Sequence, residues 1–223
     1  MTRRANASIA GVTFLAYIAF GIANMILFGR TTRGEGVGAE LASIGRHLSD
    51  ARIAVLLDLL CCCCALVLAV TLYAITRDQD PDLAMLGMTC RVGEGLLGAA
   101  GIPRTLALIW LATATGADAP DPAAAHALGA YLLRGGAALS ATFFAVGSTL
   151  FAWLFLRGRM IPILLAWLGV LASLLLVVCL PLQLAGLLPR PIATFMWLPM
   201  LAFEVPLALW LLIKGAAMPA AAR

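Results

Sequence analysis

Six long apolar stretches occupy most of this chain and restrict what it can fold into. They are residues 8–28, 53–75, 83–112, 128–156, 161–184 and 192–213. About 20 helical residues cross the ~30 Å hydrocarbon layer of a bilayer, and each stretch is at least that long. With 12% charged residues, the chain carries roughly half the charge of a soluble domain. We therefore predict an all-α integral membrane protein, a six-helix up-down transmembrane bundle that forms a single domain over residues 1–223.

The first stretch follows Arg3 and Arg4, as the apolar region of a signal peptide would. It is too long for such a region, and no small-x-small cleavage site follows before Gly29. We expect it to be a retained helix. The segments 76–82, 157–160 and 185–191 are short, so the helices that they join are predicted to be antiparallel neighbours.

The segment 29–52 between the first two stretches contains a second pattern. Leu41, Ile44 and Leu48 recur at helical spacing among charged residues. This periodicity predicts a short amphipathic helix that lies at the membrane interface in the first outer loop.

The distribution of charge predicts partners and orientation. The net charge of +4 comes without a basic run, so nucleic acid is not a predicted partner, whereas membrane lipids are. The sequence does not decide whether the chain also binds a protein partner or forms a homo-oligomer. By the positive-inside rule, the side of the membrane with more basic residues near the helix ends is cytoplasmic. The side that holds the N-terminus has Arg3, Arg4, Arg77, Arg157, Arg159, Lys214 and Arg223, and the opposite side has Arg30, Arg33, Arg46, Arg52 and Arg190. The bias predicts a multipass protein of the cell (plasma or inner) membrane with both termini in the cytoplasm.

Glu204 is the main candidate for a functional residue. It lies near the middle of the last apolar stretch, five residues after Pro199 and two before Pro206. A carboxylate at this depth costs several kcal/mol without a partner. Proline removes a helical hydrogen bond, so the carbonyl groups of Phe195 and Ala202 are expected to lack their usual donors near the carboxylate.

The third stretch carries two further charges on one face. Arg91 and Glu94 share a helical arc with Gly95, Gly98 and Gly101, and small residues let another helix approach closely. We expect this face to pack inward. Together with Glu204, Arg91 and Glu94 are predicted to form a ligand-, proton- or cation-sensitive group.

A structural charge pair is predicted between the second and third stretches. In an antiparallel hairpin Asp58 and Arg104 differ in height by only ~6 Å, which an arginine side chain can cover. Arg134 lies at a similar predicted depth and is expected to join them. The two groups together contain three acids and three arginines, a balance that suits a buried network.

Other residue types favour no catalytic or metal site. Cys61, Cys62, Cys63 and Cys64 are consecutive, so on a helix their side chains diverge by about 100° per residue and cannot converge on one metal. Both histidines fall outside the apolar stretches, and no protease motif is present. We predict no catalytic residues, no metal and no cofactor.

Several segments in order resemble the Domain of Unknown Function 4386 family. They are Ala10, Gly11 and Gly21, RIAVLLDLL at 52–60, Leu72–Tyr73, Arg91 to Glu94, MIPILLAWLGVL at 160–171 and FEVPLALWLLIKG at 203–215. The resemblance implies a small, mostly bacterial membrane protein of six or seven helices, from a family without an established activity. It also implies polar residues at positions 58, 91, 94 and 204. At 131–144 the chain has YLLRGGAALSATFF where the family usually has an aromatic, histidine-containing segment, so a role tied to that histidine does not carry over.

The sequence is compatible with three functions. The preferred hypothesis is a non-enzymatic, transporter-like or ligand-binding bundle with Glu204 and Glu94 as sensitive groups. The first alternative is a structural or accessory subunit of a membrane complex, in which the charges fix helix registry. The second is a membrane enzyme for a lipid-linked substrate with Glu204 or Glu94 as general base, although the sequence offers no convergent nucleophile or metal set.

Overall fold

The computed structural model describes residues 1–116, 119–135 and 138–219, which form nine helices and, within those ranges, no strand. The helices are α1 (Arg3–Thr31), α2 (Val37–Arg46), α3 (Leu48–Thr76), α4 (Pro81–Thr113), α5 (Pro122–Arg134), α6 (Ala138–Arg157), α7 (Ile163–Leu184), α8 (Arg190–Phe195) and α9 (Leu198–Ile213). The all-α prediction is confirmed.

Six segments are long and apolar enough to cross a bilayer. Four are the single helices α1, α3, α4 and α7, and the other two are Pro122–Arg157 and Pro191–Ile213. Many large apolar side chains point outward, for example Leu164, Leu171 and Val70. An exposed apolar surface of this extent is stable against lipid and not against water. The chain is a multipass membrane protein, as the sequence predicts.

Local capping explains where several helices begin. The Asp121 carboxylate accepts hydrogen bonds from the backbone N–H groups of Ala123 (2.9 Å) and Ala124 (3.0 Å), and Pro122 occupies the first turn of α5. Asp80 accepts from the N–H of Leu83 (3.1 Å) at the start of α4. A carboxylate before proline in the first turn is a favourable helix start, because it satisfies N–H groups that lack a partner within the helix.

Two of the predicted continuous helices are interrupted. In the fourth stretch α5 ends at Arg134, and Gly135 takes an extended conformation before α6 begins. Glycine lowers helix stability there because its backbone loses most entropy on ordering. In the sixth stretch α8 ends at Phe195 and α9 begins at Leu198. Pro199 lies in the first turn of α9, so it starts a helix instead of removing a hydrogen bond inside one as predicted.

The amphipathic helix of the first outer loop is present as α2, with different bounds from the expected ones. Gly36 precedes it with a φ of 92°, a conformation that favours glycine. The helix ends before His47, and Leu48 opens α3 instead of extending α2. Its apolar side packs on α5, where Val37 and Leu41 contact Gly129. The location of this helix at a membrane interface stays a prediction.

The helices contribute to two compact units. The first unit contains residues 1–17, 62–97 and the described part of 138–223. The second unit contains residues 18–61, 98–116 and 119–135. Each has its own apolar core: a large one with Phe155, Leu176 and Leu207 in the first unit, and a small one around Ile44 and Leu108 in the second.

Four chain segments meet at one end of the first unit. Arg3 pairs with Asp78 (3.3 Å), and Arg4 donates to the carbonyl of Ile213 (2.7 Å). The N–H of Ala217 donates to the carbonyl of Met160 (2.9 Å). The start of α1, the α3–α4 turn, the α6–α7 turn and the end of α9 are therefore neighbours. Helices that are adjacent in sequence run antiparallel within this unit, as the short connections predict.

Close helix packing in the first unit depends on Gly11. A Cβ atom at this position of α1 would lie 2.6 Å from the carbonyl oxygen of Ala208 in α9. At Gly21, in the same helix, an added Cβ would meet no described atom within 4 Å. The two glycines therefore form a matched pair, one in close contact with a neighbouring backbone and one in open space.

Gly11→Ala is expected to destabilise the protein by ~1–3 kcal/mol, because a backbone carbonyl cannot move aside as a flexible side chain can. Gly21→Ala should be neutral or slightly stabilising, since alanine favours helix. Thermal unfolding of both variants in the same detergent compares them. Equal melting temperatures for the two variants would contradict the close α1–α9 packing.

Candidate functional site

Arg91 is the centre of a buried charge cluster in the first unit. It lies on α4, and its side chain is 1% exposed. Nη1 lies 2.9 Å from Oε2 of Glu94, one turn further along the same helix. The guanidinium forms no aligned hydrogen bond with the described residues, so this contact is an ion pair. A charge buried this deeply needs further stabilisation from its surroundings.

Three aromatic rings surround the Arg91 guanidinium. Its Cζ atom lies 4.9 Å from the ring centroid of Phe144, 5.5 Å from Tyr17 and 6.0 Å from Phe14. Tyr17 and Phe144 are themselves nearly parallel, with an interplanar angle of 11°. Aromatic faces within ~6 Å attract a cation, and more strongly once water is removed. These rings, from α1 and α6, therefore replace part of the lost hydration of Arg91.

Glu94 has a partner on each carboxylate oxygen. The Tyr17 hydroxyl donates a hydrogen bond of 2.6 Å to Oε1, and Oε2 faces Arg91. The hydroxyl of Ser140 on α6 donates to the backbone carbonyl of Glu94 (2.9 Å). Glu94 of α4 therefore links to α1 through its carboxylate and to α6 through its backbone carbonyl. A buried carboxylate that is satisfied in this way is a strong orienting contact.

Glu204 has a different environment. It is 6% exposed, and its Oε1 accepts no hydrogen bond from the residues that the structure describes. It lies within electrostatic range of both Arg91 and Glu94. A cavity of about 10 Å³ adjoins it, lined mainly by apolar side chains, with Ser148 as the other polar residue. This volume corresponds to about one water-sized sphere.

The predicted grouping of Arg91, Glu94 and Glu204 agrees with their positions. All three are buried in the first unit and interact electrostatically. The inward-facing glycine face is found in part. A Cβ atom on Gly95 would lie 3.3 Å from the Cys62 carbonyl of α3, whereas Gly101 is exposed with no described atom within 4 Å. The functional role of the three charges stays a prediction.

The second predicted group is looser than expected. Asp58 accepts a hydrogen bond from the Asn24 side-chain amide on α1. Arg104 interacts with Asp58 electrostatically, but among the described residues no ion pair within 4 Å joins them. Arg104 instead packs close to Gly135. Arg134 is exposed and does not join the group, because α5 ends there with its side chain directed outward.

Four residues of these groups were missed by the sequence analysis: Phe14, Tyr17, Asn24 and Phe144. The signal for Tyr17 and Asn24 was available, since a tyrosine hydroxyl or an amide inside an apolar helix requires a polar partner. Phe14 and Phe144 carry no such signal, because a phenylalanine beside a cation has the same sequence pattern as one in an ordinary core.

Comparison with known proteins identifies one family. A family model described as a domain of unknown function, DUF4386, matches residues 9–215, nearly the whole chain. The match includes the buried charges Arg91, Glu94 and Glu204 and the three aromatic residues around Arg91. No curated protein and no solved structure matches the chain significantly.

Arg91→Gln is expected to destabilise the protein by ~3–5 kcal/mol, because it leaves two buried carboxylates without a cation. The double variant Arg91→Gln/Glu94→Gln should recover part of this loss, since one of those carboxylates is also removed. Arg157→Gln is the control: it breaks a half-exposed contact of 3.9 Å with Asp80 and should cost ~1 kcal/mol or less. Unfolding midpoints in one detergent give the comparison. A double variant less stable than Arg91→Gln would contradict the ion pair.

Proposed function

Since the chain belongs to the DUF4386 family, whose description states no activity, we propose a function from the buried cluster itself. In this proposal the protein is a non-enzymatic, transporter-like bundle that binds and releases a proton at Glu204. The carrying observation is the buried Oε1 of Glu204, which has no hydrogen-bond donor among the described residues, beside a charge cluster with an excess of acid.

The charge of the cluster supports this proposal. It contains one guanidinium and two carboxylates, and Glu94 already holds the closest contact to Arg91. A formal excess of one negative charge therefore remains in an apolar interior. An unpaired buried charge is costly, and a carboxylate in this position is relieved by binding a proton or a cation.

The size of the cavity favours the proton. A sodium or calcium ion takes several oxygen ligands, commonly six or more for calcium. The cavity of about 10 Å³ offers the oxygens of Glu204 and Ser148 among mainly apolar side chains. An organic substrate requires hundreds of Å³. A proton needs only one carboxylate oxygen and at most one water molecule to carry it.

The structural-subunit alternative has its own supporting observation. Glu94 is held by Tyr17 and Arg91 at once, an arrangement that fixes α1 against α4 and needs no ligand. A structural role of this kind explains the burial of Arg91 and Glu94 but does not explain why a third charged residue, Glu204, is buried beside them. For the enzyme alternative, Glu204 would act as general base, but its small cavity leaves no room for a lipid-linked substrate.

Glu204→Gln is expected to remove the infrared carbonyl band of a buried protonated carboxylic acid from difference spectra recorded between acidic and neutral pH. Glutamine keeps the shape of the side chain and cannot take up the proton. The exposed Glu35→Gln variant is the matched control and should retain the band. An unchanged band in a folded Glu204→Gln protein would remove the main support for proton binding.

We further propose that the protein resides in the cell (plasma or inner) membrane with both termini in the cytoplasm. Arg3, Arg4, Arg157 and Lys214 lie among the segments that meet at one end of the first unit. A cluster of basic residues at one membrane side favours the cytoplasm for that side. The start of α1 and the segment that follows α9 lie at this end, so we assign both termini to its side of the membrane.

A fluorescent protein fused after residue 216 should fluoresce in cells, whereas alkaline phosphatase fused there should be inactive, because that enzyme matures only outside the cytoplasm. Phosphatase fused after residue 120, between α4 and α5, should be active. Activity of the first phosphatase fusion together with inactivity of the second would reverse the proposed orientation.

A further inference from the structure

A second site lies in the second unit, independent of the buried acid cluster. Arg30, Arg33, Ser43, Arg46, His47 and Asp50 line a surface cavity of about 350 Å³. The residues come from the end of α1, the loop after it, α2 and the start of α3. This volume falls within the ~300–1,000 Å³ range of small-molecule sites.

The cavity has a strong excess of positive charge. Three guanidinium groups face one carboxylate, that of Asp50, which leaves a formal excess of two positive charges with His47 neutral. Within the described ranges, none of the three arginines forms an ion pair within 4 Å. Their forks of N–H donors are therefore available to a ligand, and their mutual repulsion is relieved by an anion.

The chemistry of the lining residues favours a phosphoryl group. Arginine presents paired donors that match the oxygens of phosphate, and binding by several arginines at once gives charge-assisted hydrogen bonds. Nδ1 of His47 lies 3.0 Å from the Ser43 carbonyl. A carbonyl only accepts, so Nδ1 carries the proton and Nε2 of the neutral ring is an acceptor. Anion binding therefore rests on the three arginines.

We propose that this cavity binds a phosphoryl anion. Two of the lining residues, Arg30 and Asp50, lie at the ends of α1 and α3, which are long and apolar enough to span a membrane, and the others lie in the segment between these helices. The ends of such helices lie at the level of lipid headgroups. A phospholipid headgroup and a soluble phosphate share the chemistry that the arginines recognise, and the two sources are distinguished by experiment.

The main test compares the wild type with Arg30→Gln/Arg33→Gln/Arg46→Gln. The control Arg77→Gln/Arg157→Gln/Arg159→Gln loses the same charge from exposed arginines of the first unit. In neutral detergent, inorganic phosphate should raise the melting temperature of the wild type and the control more than chloride at equal ionic strength. The cavity variant should bind phosphate at least about tenfold more weakly, since several charge-assisted hydrogen bonds are lost.

A second arm tests the lipid source. Wild type and control in nanodiscs of phosphatidylcholine with phosphatidylglycerol should retain phosphatidylglycerol in native mass spectra, and the cavity variant should not. If the wild type retains lipid but does not respond to inorganic phosphate, the ligand is a lipid headgroup. If it responds to phosphate but retains no lipid, the ligand is a soluble anion. If wild type and cavity variant behave alike in both arms, the proposal is overturned.

The single variant Arg33→Gln keeps the test valid if the triple variant does not fold. Arg33 lies outside any helix and is exposed, so its replacement spares the cores. It should weaken phosphate or lipid binding in the arm where the wild type responds. A fully wild-type response from this variant would also overturn the proposal.

Discussion

The burial of the Arg91 guanidinium is the constraint on which the interior of the first unit depends. An arginine that is 1% exposed cannot extend to either membrane surface for hydration. Its charge must be balanced within the bundle, and three helices supply the balance: α4 through Glu94, and α1 and α6 through aromatic rings. The same rings and the Tyr17 hydroxyl fix these helices against one another. The contacts that stabilise the charge of Arg91 are therefore also contacts that hold these helices together.

This arrangement makes Glu204 exceptional. The Tyr17 hydroxyl donates a hydrogen bond to Glu94, and Arg91 has its ion pair with Glu94 and its aromatic contacts without any residue of α9. Glu204 adds a second carboxylate to a site that needs one. A purely structural network gains nothing from this excess, because an apolar residue of similar volume would pack there at lower cost. The excess acid is thus the feature that a functional explanation has to address.

The number and order of the membrane-crossing segments and their antiparallel connection could be predicted, because they depend on the length of apolar stretches and of the turns between them. The inward position of Arg91, Glu94 and Glu204 could be predicted because charged side chains avoid lipid. What surrounds them could not: Phe14 and Phe144 are apolar residues in apolar helices, and their contact with Arg91 depends on helix rotation. Asp58 interacts electrostatically with Arg104, as the heights along the hairpin suggest. Its hydrogen bond from Asn24 could not be predicted in this way, because Asn24 lies on a third helix and the contact depends on helix rotation. The helix interruptions at Gly135 and Trp197 depend on the backbone conformation of a few residues. Mean hydropathy over a long stretch carries no information on such local conformation.

The two candidate sites carry opposite charge and differ in how that charge can be neutralised. The interior cluster has excess acid, and the space of about 10 Å³ beside Glu204 has only Glu204 and Ser148 as polar lining. These are too few oxygen ligands for a metal cation, so a proton suits this site best. The arginine cavity has excess base in about 350 Å³ at the surface of its unit, where an anion with several oxygen atoms fits. Each imbalance is defined by residues of a single unit. The protein therefore contains two separate requirements for a counter-charge, and each can be removed by substitution while the other is left intact.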